Sequence, residues 1–150
     1  MPVVKLTAGK DGRKIANYLQ RDDAGNDRAV FVSEYERGRI ERVNSAQHAE
    51  KDFQSVRERF EKVDGVQAHM AYISFKRDDL GDLAKPDGKP DWEKIEQFSH
   101  DLAKRAAVAE KHQYYVVAHD DKPNPHVHIV WNSVSDKDGS KYHSAAAIMD

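Results

Sequence analysis

Cysteine is absent from the sequence, and that one absence removes several chemistries at once. Disulfide bonds, cysteine-ligated zinc fingers, thiol nucleophiles and cysteine-held iron–sulfur clusters are all excluded. A metal, if one is used, must be held by histidines and carboxylates. Long apolar runs are missing too. No window approaches the roughly 18 consecutive apolar residues of a membrane-spanning helix, and the opening "MPVVKLTAGK" lacks the apolar stretch of a secretory signal. A soluble, cytoplasmic protein without membrane insertion is the expectation. The third deficit is basic surplus: 24 Lys and Arg stand against 26 Asp and Glu, for a net charge of −2. The whole-chain positive field common in nucleic-acid binders is not there, so contact with a polyanion would rest on local patches such as "KDGRK", "ERGRIER" and "FKRDD".

What is present reads as one domain over residues 1–150. A chain of that length buries about 70% of its unfolded surface, so no metal is needed merely to hold a coreless fold together. "VVKL" (3–6) is a short strand, and "GRKIANYLQR" (12–21) is a helix with Ile15 and Leu19 on one side. After the turn cluster "DDAGND" (22–27), "AVFVSEY" alternates as a strand. Phe53, Val56, Phe60 and Val63 step by three and four, predicting a helix over 46–63 capped by Asn44 or Ser45. "VQAHMAYISF" (66–75) has the aromatic and β-branched content of a central strand. "KRDDLGDLAKPDGKPD" reads as a linker ending in an Asp91 cap, followed by a helix to about His112 marked by Trp92, Ile95, Phe98, Leu102, Ala106 and Ala109. Two strands, 113–119 and 126–134, flank the turn-rich "DDKPNP". This order predicts an α+β fold of ferredoxin-like type. Its five-stranded, mostly antiparallel sheet has the two long helices on one face and the last two strands adjacent at its centre. The opposite face is left open.

Three of the eight histidines crowd into "VVAHDDKPNPHVHIVWN" (116–132). Residues two apart on a strand share a face, so His126 and His128 point one way while Val127, Ile129 and Trp131 point the other. A hairpin across "DDKPNP" brings His119 beside the pair. Three neutral imidazoles can bind one divalent metal and leave positions open for substrate.

The stretch "HDDKPNPHVHIVWN" closely resembles the metal motif of the HUH relaxases, the mobilisation nucleases that nick plasmid or integrative-element DNA at a transfer origin. "IANYLQR" resembles their N-terminal tyrosine motif and "AYISF" their middle motif, and the three stand in the family's order. The resemblance implies an HUH-type fold and a metal-dependent transesterase acting on single-stranded transfer-origin DNA. It implies a metal site of His119, His126 and His128, a catalytic carboxylate at Asp121, and a DNA contact from Ser74. The nucleophile it implies is Tyr18, which would be left carrying a 5′-phosphotyrosyl adduct. Manganese or magnesium is the implied ion, although three imidazoles suit manganese, zinc, cobalt or nickel better than magnesium. Accessory DNA-binding proteins and a type IV secretion coupling protein are the implied partners in conjugation. The family's domains commonly extend further, and this chain ends on "SAAAIMD", which reads as the start of a helix and fits a C-terminally truncated fragment of a longer chain.

Of six tyrosines, Tyr142 competes with Tyr18, because replication-initiator relatives of rolling-circle type place the nucleophile after the histidines. Tyr114 and Tyr115 alternate within a strand, one expected in the core and one on the surface or lining the site. A non-enzymatic metal-binding or interaction domain, and a metallohydrolase acting through activated water, are the remaining readings.

Overall fold

In the computed structural model, which describes residues 3–105 and 111–142, the chain runs β1 (Val3–Gly9), α1 (Gly12–Gln20), β2 (Ala29–Glu36), β3 (Arg39–Arg42), α2 (Ala46–Arg59), β4 (Ala68–Ser74), α3 (Trp92–Arg105), β5 (Tyr114–His119) and β6 (His126–Asn132). Two single 3₁₀ turns, Arg77–Asp79 and Gly81–Leu83, occupy the segment expected to be a linker. One antiparallel sheet holds all six strands in the order β1-β4-β6-β5-β2-β3. The α+β class and the central position of the last two strands are as expected.

The strand count is not: the sheet has six strands where five were expected. The extra one is β3, inside the basic "ERGRIER". Glu36 pairs with Arg39 around a two-residue turn in which Arg37 (φ 53°) and Gly38 (φ 83°) are both left-handed. Such a turn matches the twist of a hairpin. Ile40 is the lone apolar residue of β3, so the strand carries almost no hydrophobic alternation to betray it.

The helices also differ from expectation, because they do not share a face. Ala16 and Leu19 of α1 and Ala46, Ala49 and Phe53 of α2 pack with Val32, Tyr115, Val117 and Val130. Ile95 and Ala103 of α3 pack with Ala71, Ile73, Val116, Ile129 and Trp131, which point the other way. The sheet is therefore covered on both sides at its centre, and every residue of β5 and β6 is buried. That arrangement explains why these strands read as nearly continuous apolar runs rather than as alternating ones. It also puts both Tyr114 and Tyr115 in the interior, where one had been expected at the surface or lining the site.

Local chemistry sets the helix ends. Asp11 caps α1 by accepting from the Lys14 N–H at 3.0 Å, and Ser45 caps α2 by accepting from His48 N–H at 3.1 Å. α2 ends at Arg59 rather than at residue 63, since Phe60 leaves helical geometry and Glu61 turns left-handed at φ 57°. α1 lies close on α2 at Gly12: a Cβ there would stand 2.3 Å from Glu50 Oε1, an oxygen of the buried Glu50–Arg57 ion pair. Of the expected third helix, 106–110 lie outside the described residues, as does the "SAAAIMD" terminus. No helix among the described residues is long and apolar enough to cross a membrane.

Candidate active site

Two neighbouring cross-strand rows build the site. In one, Val3, Ser74, His126, His119 and Ala29 follow one another across β1, β4, β6, β5 and β2. In the next, Lys5, Tyr72, His128, Val117 and Val32 do the same. All ten share the face on which α1 and α2 pack, but at the start of β1 that cover is gone, and Val3 and Lys5 are exposed. The histidines thus sit where covered sheet gives way to open sheet.

His119, His126 and His128 converge as the sequence pattern anticipates, with one ligand atom from each lying within 4.8 Å of the others. Their partners fix the tautomers. Nε2 of His119 donates to the Leu19 carbonyl at 2.6 Å, and Nδ1 of His126 donates to the Asn124 carbonyl at 3.2 Å, because a carbonyl only accepts. What remains are two unprotonated nitrogens, His119 Nδ1 and His126 Nε2, facing each other at 3.2 Å. Nδ1 of His128 is buried with no hydrogen-bond partner among the described residues. Burial holds all three imidazoles below their ordinary pKa, His119 at about 4, so all three are neutral near pH 7. Three clustered imidazoles, two of them with the ring N–H held by an outer carbonyl and a bare nitrogen turned to the cluster, are a donor set that fits a divalent cation.

The acids beside this cluster divide cleanly. Asp121 Oδ1 stands 3.7 Å from His126 Nε2, and Oδ2 accepts from Arg28 Nη1 at 3.1 Å. Partial burial raises the pKa of Asp121, but the Arg28 hydrogen bond and the neighbouring His119 outweigh it and keep the carboxyl below its ordinary value. Asp120 turns away to pair with Arg77, which also donates to the Pro123 carbonyl and thereby braces the 120–124 loop. Ser74 lies directly across from His126 in register.

Tyr18 is near the C-terminal end of α1, 59% exposed and about 100 residues from the histidines in sequence. Its neighbour Leu19 gives its carbonyl to His119. Its own carbonyl accepts from Arg28 Nη2 at 2.8 Å, and the same guanidinium lies 4.6 Å from its ring centroid. Tyr142, by contrast, packs against His69, His112 and Trp131 on the α3 face of the sheet, with its hydroxyl buried and unpartnered among the described residues.

Sequence reasoning missed Arg28, Tyr72 and Arg77. Tyr72 packs against both His126 and His128, with ring centroids at 5.3 and 5.1 Å. Its place two residues before Ser74 on a strand was a usable signal, since residues two apart share a face. Nothing in the sequence pointed to Arg28.

Relatives named "Protein rlx" from Staphylococcus aureus are similar to this chain. One is 36% identical over 97 residues and another 33% over the same length, each match covering 65% of this chain and 27% of the relative. The chain spans about a quarter of the length of these curated relatives. The nuclease-domain model of the relaxase family described as MobA/VirD2-like matches residues 18–149, from the exposed tyrosine past the last histidine. The chain belongs to that relaxase family.

Proposed function

We propose that this domain is a metal-dependent relaxase that nicks single-stranded transfer-origin DNA by tyrosine transesterification, with Tyr18 as nucleophile, His119, His126 and His128 as metal ligands, and Asp121 and Ser74 assisting. The observation that supports the reading is the pair of backbone carbonyls at 18 and 19, one accepting from Arg28 and the other from His119, which ties the end of α1 that carries the exposed tyrosine to the histidine cluster. The Tyr18 oxygen attacks the scissile phosphorus while its proton passes to solvent. The P–O3′ bond breaks, the 3′ oxygen takes up a proton from water, and the 5′ phosphate stays on the tyrosine as an ester that the 3′-OH can later attack in reverse. His119, His126 and His128 would hold a divalent cation, manganese or magnesium with zinc, cobalt and nickel as further candidates, which would supply positive charge to the phosphate oxygens as charge builds there. Asp121, kept ionised by Arg28, sets a negative charge beside the cluster, placed to accept a proton near the tyrosine. Ser74, Tyr72 and Lys5 extend the site across the open part of the sheet, where phosphate and base can lie. In the cell the domain serves conjugative mobilisation of a plasmid or integrative element from the cytoplasm, alongside accessory DNA-binding proteins and a type IV coupling protein.

The test is incubation with manganese or magnesium and single-stranded oligonucleotides tiling the cognate transfer origin, followed by denaturing electrophoresis and peptide mapping. An SDS-stable adduct on Tyr18, lost in Tyr18→Phe with DNA binding retained, is the expected result. An adduct on Tyr142 means the replication-initiator order of motifs. Cleavage without an adduct means a hydrolase, and neither product means a binding module.

A further inference from the structure

We infer that Arg28 is a positioning residue that locks the Tyr18 side chain beside the histidine cluster by bridging it to Asp121. The inference rests on the reading of Tyr18 as nucleophile. One planar guanidinium makes three contacts at once: Nη1 to Asp121 Oδ2 at 3.1 Å, Nη2 to the Tyr18 carbonyl at 2.8 Å, and Cζ over the Tyr18 ring at 4.6 Å from its centroid. Asp121 in turn faces His126 at 3.7 Å. Arg28 thus connects the helix that presents the hydroxyl with the hairpin that presents the ligands.

Stability alone is a poor account of this residue. The Arg28 side chain is only 11% exposed, and its Nε is buried without a partner among the described residues, so an N–H has been stripped of water with nothing in return. Its ion pair is with a carboxylate that is itself 34% exposed, a kind of pair worth little to folding. The backbone is also adapted locally: the β2–β5 register slips between Ala29 and Phe31, immediately after Arg28, and such irregularities re-aim side chains beside active sites. A lysine carries the same charge, but its compact ammonium lacks the rigid planar fork that reaches two separate acceptors while keeping its centre over a ring.

The tyrosine ring is otherwise exposed, so without this clamp its hydroxyl would sample many positions away from the phosphate. Misplacement of a reacting group by about 1 Å costs on the order of 100-fold in rate. Single-turnover adduct formation at saturating oligonucleotide and manganese should therefore slow about 100-fold in Arg28→Lys, while the Kd for the oligonucleotide and for manganese alone stays at the wild-type value. Added methylguanidinium should restore part of the rate to Arg28→Ala. A wild-type rate in Arg28→Lys, or a loss accounted for by weaker DNA or metal binding, overturns the inference. Arg28→Gln replaces the lysine variant if the latter melts early. The contact is read independently of catalysis with 3-fluorotyrosine at position 18 and no metal. Asp121→Asn should shift the fluorine resonance when Arg28 is present and leave it unmoved in Arg28→Lys, whereas an unmoved signal in both backgrounds refutes the bridge. Mapping the wild-type adduct to a tyrosine other than 18 refutes the functional reading beneath it and is told apart from these results.

Discussion

Two sets of buried histidine contacts lie on opposite faces of the same sheet, and they are built on opposite logic. On the α3 face, His100 is fully buried and both of its nitrogens are occupied, Nε2 by the Ser33 hydroxyl at 2.8 Å and Nδ1 by the Tyr114 hydroxyl at 2.6 Å. Ser, His and Tyr form a buried chain whose serine hydroxyl is fully covered, so its resemblance to a nucleophile–base pair is only one of residue types. On the other face, the nitrogens of His119 and His126 that point outward from the cluster are occupied, and those that point inward are not. Burial makes both groups neutral. What separates a packing histidine from one able to serve as a ligand is therefore where the unpaired lone pair points, more than how deep the ring lies.

The largest effect that would break this contrast belongs to the ligand face. His128→Ala should lower adduct formation at least about 1,000-fold, with chelator reproducing the loss in the wild type. Manganese should raise the Tm of the wild-type chain and leave that of His128→Ala unmoved, because only a cation bound to the folded state stabilises it. Equal adduct yield in His128→Ala at limiting metal sinks the site.

Next comes His100→Ala, which opens a cavity and strands two buried hydroxyls. It should cost about 4 kcal/mol in urea unfolding and leave the adduct rate per folded molecule as it was. A catalytic defect without a stability defect would reverse the assignment of the two faces.

Acid sharpens the comparison further. Burial lowers the His100 pKa to about 4 from 6.5, against smaller pulls from Glu96 and Asp101 that raise it and from Lys104 that lowers it. Between those two pH values the unfolded chain binds the proton that the folded chain refuses. This contribution to stability is therefore complete above pH 6.5, declines as pH falls toward 4, and declines no further below it. Its full size is about 3 kcal/mol, read as the difference in pH profile between wild type and His100→Gln. Parallel profiles would mean His100 titrates normally. The smallest effect is at Ser74: Ser74→Ala should weaken single-stranded DNA binding about threefold by loss of one hydrogen bond, and no change would remove it from the DNA path.

The sequence made the histidine cluster legible because its logic is local: period-two alternation plus one tight connection determines which rings can meet. Tyr18 came from the order of motifs rather than from geometry, since no local rule joins residues 18 and 119. Arg28 stayed hidden for a related reason. Its bond to Asp121 spans 93 positions and depends on a register slip that no periodicity encodes. The division of helices between faces was missed although a signal existed. "YYVVA" does not alternate, and a strand that fails to alternate is covered on both sides. β3 left no such trace, being a polar edge strand whose turn is closed by Arg-Gly rather than by the usual Asn-Gly.

The sheet order β1-β4-β6-β5-β2-β3 has a consequence in time. Apart from the β2–β3 and β5–β6 hairpins, its ladders join segments far apart in the chain, and high contact order slows folding. Tyr18 leaves the ribosome early, while His126 and His128 lie on the strand that both β4 and β5 await. Synthesis runs from the N-terminus, so a growing chain displays its tyrosine long before it owns a cluster of imidazoles. The last central strand to be made carries two of the three, so under the proposed function the nascent protein gains a means of cutting DNA only once that strand has docked.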